Sequence, residues 1–320
     1  MRRVLFTILL LTVFVVPTAN AQTYTISVNQ FVEHPALDAV LKGIQDYLKD
    51  QGAAVKYNVH NAQANMGTAT QIAKQMIGEK PDLLVAIATP SAQAVAQANA
   101  KAPADLKRPF LFSAVTDPVA AGLVKNIQAP GGYTTGVSDL LPLEEHMNMV
   151  LTYKPGIKKL GLLYNAGEAN SKANLAGIKK IGARKGFDVV EATASKTADV
   201  FQAAKSLVGR VDAVFVPTDN TIVSALESVI KVGVQNKLPI FCADVDSVKR
   251  GAIAAMGFDY YKHGYQTGAM ALRILKGAQP ANTPVEFQKE LQLHINKVYS
   301  EKMGLTPPDE LLKKATKVYE

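Results

Sequence analysis

The chain has one cysteine, Cys242, inside the apolar run LPIFCAD. No disulfide can form within a monomer, and no cysteine-based metal site can be built. A buried thiol acting as a small hydrophobe is the plain reading. The five histidines, His34, His60, His146, His263 and His294, show no H-x-x-x-H spacing, so zinc is not expected. G-x-G-x-x-G and G-x-x-x-x-G-K-[ST] are both absent, which leaves dinucleotide and P-loop phosphate binding without support. No G-x-S-x-G elbow occurs, and no nucleophile–base pair can be assembled. These gaps argue against an enzyme, a metal and a cofactor. The formal charge is +8, but no polybasic run carries it, and no nucleic-acid partner is expected.

Long hydrophobic runs are scarce too. The one present is N-terminal: Arg2-Arg3, then VLFTILLLTVFVV, then PTANA. A charged start, a short apolar stretch and an A-x-A site at Ala19-Asn20-Ala21 describe an export signal cleaved after Ala21, with an uncleaved N-terminal anchor as the weaker alternative. The run is short of the ~20 residues of a membrane span. No cysteine follows it, which disfavours a lipid anchor. The periplasm is the expected compartment.

What is present is alternation. Leu37, Val40, Leu41, Ile44 and Leu48 follow helical spacing. Short apolar runs separate such stretches: ISV, LLVAIA, FLFSAV, LGLLY, AVFVP and PIFCA. Runs without polar alternation fit strands buried on both faces of a parallel sheet, and strand–helix alternation predicts an α/β doubly wound fold. The pattern also repeats. LKGIQDYLKDQGAAVKYNV at Leu41 matches LAGIKKIGARKGFDVVEAT at Leu175, with Gly43, Gly52 and Val55 facing Gly177, Gly186 and Val189. PDLLVAIATPSAQAV matches VDAVFVPTDNTIVSA. Two α/β copies predict two Rossmann-like lobes joined by a hinge of several crossovers. The expected division is residues 1–21 as signal, 22–138 plus 246–282 as lobe 1, and 139–245 plus 283–320 as lobe 2 with a C-terminal tail.

Ligands of such sheets bind beyond the C-terminal strand ends, where this sequence concentrates its polar residues. In the first copy these are Gln30, Phe31 and His34-Pro35, then Thr89-Pro90-Ser91, then Thr116-Asp117-Pro118. In the second they are Glu168, Asn170 and Ser171, then Asp219 and Asn220, then Asp244. His34-Pro35, Thr89-Pro90 and Asp117-Pro118 each read as helix starts, since proline suits the first helical position and Thr and Asp cap well. Helix N-termini also attract anions. The leading expectation places a ligand carboxylate on Thr89 and Ser91 and an ammonium on Asp219. Gln30 and Phe31 are expected to meet the distal part, with Glu168, Asn170 and Ser171 closing from the second lobe. N-cap duty is the commoner role for any single one of these acids.

Several segments taken together carry a resemblance: QFVEHPALD, ATPSAQA, VTDPVAAGLV, TGVSD, YNAGEANS, PTDN and GFDYYKHGYQTGAMALRILKG. The chain resembles ABC-importer substrate-binding proteins of the type I periplasmic-binding fold, in particular the subgroup that binds aromatic amino acids. The lack of tryptophan in this chain departs from nothing essential. The resemblance implies two lobes, three crossovers, a small ligand enclosed between them, and a transient partner in an ABC permease. The expected protein is a monomer that closes about its hinge on an amino acid. Competing readings are a sensory binding protein serving a receptor and an exported enzyme of small metabolites. A cytosolic ligand-responsive repressor shares the fold, but the export signal and the missing helix-turn-helix speak against it.

Overall fold

The computed structural model describes residues 23–320. The signal segment and its cleavage point at Ala21 lie outside the described residues. The first copy runs β1 (Tyr24–Gln30), α1 (Pro35–Asp50), β2 (Val55–Asn61), α2 (Met66–Gly78), β3 (Leu83–Ile87), α3 (Thr89–Lys101), β4 (Phe110–Val115) and β5 (Thr134–Ser138). After α4 (Leu143–Tyr153) the second follows: β6 (Lys159–Tyr164), α5 (Ala169–Lys185), β7 (Asp188–Thr193), α6 (Val200–Lys205), β8 (Ala213–Val216), α7 (Asn220–Ser224), α8 (Leu226–Asn236) and β9 (Ile240–Cys242). The chain ends with α9 (Asp246–Lys249), β10 (Ala254–Gly257), α10 (Tyr260–Leu275), β11 (Glu286–Phe287), β12 (Gln292–Asn296), α11 (Lys297–Lys302), α12 (Asp309–Lys314) and β13 (Lys317–Tyr319).

The repeat is visible in the sheets. One has the order β11-β5-β4-β3-β1-β2, the other β13-β12-β10-β9-β8-β6-β7. Within them β2-β1-β3-β4 and β7-β6-β8-β9 are the same doubly wound arrangement, parallel throughout. The central strands are buried along their length, as their apolar runs require, while the edge strands β2 and β7 are mostly half-buried or exposed. Each sheet has its own hydrophobic core, so the molecule is two lobes.

Three crossovers join the lobes: β5 to α4, β10 to α10, and β11 to β12. This redraws the expected boundaries. The sequence division places residues 246–257 in lobe 1, yet β10 pairs with β9 and β12 in the second sheet. The change of lobe comes only at α10, which packs on α1. Gly264 makes that packing possible, since a Cβ there would collide with the Val40 carbonyl. Likewise β11 pairs with β5, so the last crossover falls after Phe287 rather than at residue 283.

Candidate functional site

The C-terminal strand ends of both lobes face one cavity. It holds about 360 Å³ of atom-free space. The walls are closely apposed. At one point they touch directly: Thr116 Oγ1 of lobe 1 lies 3.1 Å from Thr218 Oγ1 of lobe 2.

The cavity has an acid end near the crossovers. Asp139 follows β5 and Asp244 follows β9, from opposite lobes, and both line the cavity. Asp139 accepts hydrogen bonds from Tyr260 Oη (2.9 Å) and Thr116 Oγ1 (3.1 Å). Asp244 accepts from the Ser247 N–H (2.8 Å) and Oγ (2.6 Å). Burial pushes both carboxyls above the usual range, and it pushes the Tyr260 phenol well up, with Asp139 adding to the effect. No lysine or arginine lines the cavity among the described residues. Two buried carboxyls with no cation in the cavity wall suit a ligand that brings one, although the Arg250 charge lies within reach of Asp244.

The opposite end is built from amides. Glu168, at the N-terminus of α5, reaches the N-terminus of α7. Its Oε1 accepts from the Thr221 N–H (3.0 Å) and Oγ1 (2.8 Å). Its Oε2 accepts from the Asn220 N–H (3.2 Å) and Nδ2 (2.6 Å) and from Asn170 Nδ2 (3.1 Å). The Asn170 nitrogen also donates to the Thr218 carbonyl at 2.6 Å. With that nitrogen committed, the Asn170 side-chain oxygen is buried without a partner. Across from it stands His34 of lobe 1, whose Nδ1 is also buried without a partner. Burial and then the Arg250 charge push the His34 ring down to about 3, while the Asn220 amide acts the other way. The imidazole is neutral.

Between the ends the wall is apolar, with Ala36, Leu37, Ala114 and Val223. Ala36 and Leu37 form the first turn of α1, where Pro35 has no N–H and no side chain caps the helix. Their amide hydrogens are left for a ligand. Ala114 sits at a bulge in β4 with φ +54. Its N–H donates to His263 Nε2 at 3.0 Å, which holds the bulge in place.

Of the residues expected from sequence, Thr116, Asn170, Asp219, Asn220 and Asp244 come together on the cavity. The others do not line it. Gln30 donates to the Val32 carbonyl and to Asp38, and Phe31 is buried in the lobe 1 core. Ser91 donates to Asn29 inside lobe 1, and Thr89 and Pro90 are buried in the first turn of α3, away from the cavity. Asp117 caps the turn at Val119 and Ala120. Ser171 donates to Asp219, and Glu168 binds α7 as described. Asp219 lines the cavity but accepts from the Asn165 N–H, Ser171 Oγ and the Ile222 N–H. Burial and the neighbouring Glu168 push its carboxyl up to about 8, against the pull of these donors. Unanticipated lining groups are Ala36, Leu37, Ala114, Asp139 and Val223. Asp139 ends TGVSD, at the close of a strand and the start of a crossover, and that position was its signal.

Two similar lobes closing on a small, cation-seeking cavity define a solute-binding protein. Residues 25–319 match the family described as ABC transporter substrate binding protein, and the chain belongs to that family, whose members are binding proteins and not enzymes. A tyrosine-binding protein from Clostridioides difficile (strain R20291) is 40% identical over 283 residues, covering 87% of this chain and 80% of that one. An ABC domain in complex with L-Trp from Streptococcus pneumonia superposes with TM-score 0.86 at 36% identity, covering 92% of this chain and 99% of that one. The ligand-free, open structure of a substrate binding protein with adhesive properties from Clostridium difficile gives TM-score 0.67 at 35% identity, with the same coverages. Identity is nearly equal in the two cases. The chain as a whole superposes better on the complex than on the open form. Among the described residues no helix is long and apolar enough to cross a membrane, and no cluster of metal-capable side chains occurs.

Proposed function

We propose that this protein captures an aromatic amino acid outside the cytoplasmic membrane and delivers it to the permease of an ABC importer. The observation that carries the reading is the cavity's acid end. Asp139 and Asp244 come from opposite lobes, are buried, and neither is in an ion pair, the Arg250 charge reaching Asp244 only from a distance. A ligand ammonium placed between them neutralises both walls at once and so favours closure, since a ligand shifts a conformational equilibrium by its differential affinity for the two states. The free amides of Ala36 and Leu37 at the start of α1 would take the carboxylate. Leu37, Val223 and Ala36 supply apolar contact to the side chain. The names of the relatives, a tyrosine-binding protein and an L-Trp complex, support the aromatic class.

The remaining parts of the proposal follow from the N-terminal signal and the family. The chain is exported, cleaved after Ala21, works as a monomer in the periplasm, and meets its permease only transiently. Its lobes turn about the three crossovers, with lobe 1 formed by residues 23–138 and 258–287. The test is a thermal-shift screen of mature protein against the amino acids, sugars and nucleosides, followed by calorimetry. A ligand bound only by the folded state raises Tm. Aromatic amino acids should shift Tm and be recovered unchanged. A shift with sugars or nucleosides alone would refute the assignment.

A further inference from the structure

The amide end of the cavity is not used by the ligand's ammonium or carboxylate, and its position and chemistry are specific. In both lobes it lies at the topological switch point of the doubly wound sheet. His34 follows β1, next to β3; Asn170 follows β6, and Asn220 follows the neighbouring β8. From β6 to β9, where Asp244 stands, is two strand spacings, or ~10 Å. A ligand filling the cavity is thus elongated, with one end at the acids and the other at the amides.

At that far end two buried side-chain atoms lack partners, one from each lobe: Asn170 Oδ1 and His34 Nδ1. Asn170 cannot turn to relieve its oxygen, because its nitrogen is held by Glu168 and the Thr218 carbonyl. A buried polar atom without a partner is costly, and a benzene ring placed against it leaves the cost standing. We infer that Asn170 and His34 together select an aromatic side chain ending in a hydrogen-bond donor, a phenol or indole, over a plain phenyl ring. A phenol or an indole meets the need by giving its hydrogen to Asn170 Oδ1, with the neutral His34 ring beside it. Glu168 is the positioning residue, since it fixes the orientation of the amides without facing the ligand's tip itself. This inference rests on the amino-acid reading above and adds the side-chain class.

The experiment is calorimetry on the mature wild-type protein with L-tyrosine, L-tryptophan, L-phenylalanine and O-methyl-L-tyrosine, repeated for His34→Leu and Asn170→Ser. Wild type should bind tyrosine or tryptophan about tenfold or more tighter than phenylalanine, the cost of a buried unpaired group. O-methyl-L-tyrosine, which has lost the donor, should fall to the phenylalanine level. In either variant the preference should shrink to within about threefold, read as the ratio of tyrosine to phenylalanine affinity within each variant. Phenylalanine bound by wild type as tightly as tyrosine and tryptophan would overturn the inference and leave the amino-acid reading intact. A preference that survives in both variants would also overturn it. If no aromatic amino acid binds at all, the functional reading falls and takes this one with it.

Discussion

Replacing Asp219 with alanine separates a structural acid from a ligand-binding one. Its carboxyl is buried and accepts from the Asn165 N–H at 2.6 Å, Ser171 Oγ at 2.6 Å and the Ile222 N–H at 2.8 Å. It is also the N-cap of α7. Removal leaves three buried donors, each costing ~1–3 kcal/mol where water does not reach it. Loss of the cap adds ~1 kcal/mol. Relief of an acid buried beside Glu168 offsets part, for a net loss of ~3 kcal/mol. At ~2–4 °C per kcal/mol for a chain of this size, the ligand-free Tm should fall by ~6–12 °C. Scanning calorimetry measures this directly, with titration calorimetry well below Tm reporting on binding. An unchanged Tm with ligand affinity lost would show that Asp219 faces the ligand as an ammonium partner and that its three hydrogen bonds are incidental.

Asp139→Asn and Asp244→Asn should behave in the opposite way, keeping Tm within ~2 °C while losing tenfold or more in affinity, because each near-isosteric change removes a charge that only the ligand neutralises; unchanged affinity in both would remove the acid end from the site. Thr218→Val deletes the one hydroxyl contact described between the walls and leaves Asn174 Nδ2 without its acceptor; small-angle scattering of ligand-free protein should show a larger mean radius of gyration, and an identical profile would count against the contact. For pH, the Asp219 carboxyl is raised to about 8, so its contribution to stability is present at low pH and lost as pH rises through 8. The depressed histidines, His34 at about 3 and His263 at about 4, act in the other direction only below the ordinary histidine range. Between pH 6.5 and 8.5 the ligand-free protein should therefore lose on the order of 1 kcal/mol, and Asp219→Asn should flatten that slope; a flat wild-type profile would contradict the assignment. Gly264→Val should lower Tm sharply by forcing α10 off the Val40 carbonyl, and a tolerated substitution would mean that the two helices are less closely packed than described.

The sequence made the lobes legible because buried parallel strands leave a plain signature. LLVAI and FLFSAV could be little else, and the offset between Gly43 and Gly177 revealed the duplication. The crossovers were harder. GAIAAMG looks the same whether its strand joins one sheet or the other, and only pairing with β9 and β12 decides it. The site was half visible. Strand ends could be located, but His34-Pro35 and Thr89-Pro90 are equivalent as helix starts in the sequence. What distinguishes them is direction. Ser91 turns inward to Asn29, whereas α1 opens its uncapped first turn on the cavity. Asp219 and Glu168 misled for a related reason: an acid at a strand end can face a ligand or a neighbouring helix, and here the partners are backbone amides and hydroxyls of α7.

His34 and Glu168 occupy equivalent places in the two copies, each the residue just before the first helix. If the copies descend from one ancestral half, they have since divided the work. One copy closed its helix ends on itself and became a fixed template. The other kept a neutral ring and bare amides turned outward. New specificities in such a lineage should then arise mainly by change in the N-terminal half, around positions 34–37, while the C-terminal half tolerates little at position 168. Directed evolution for a different ligand would do well to randomise the two halves unequally.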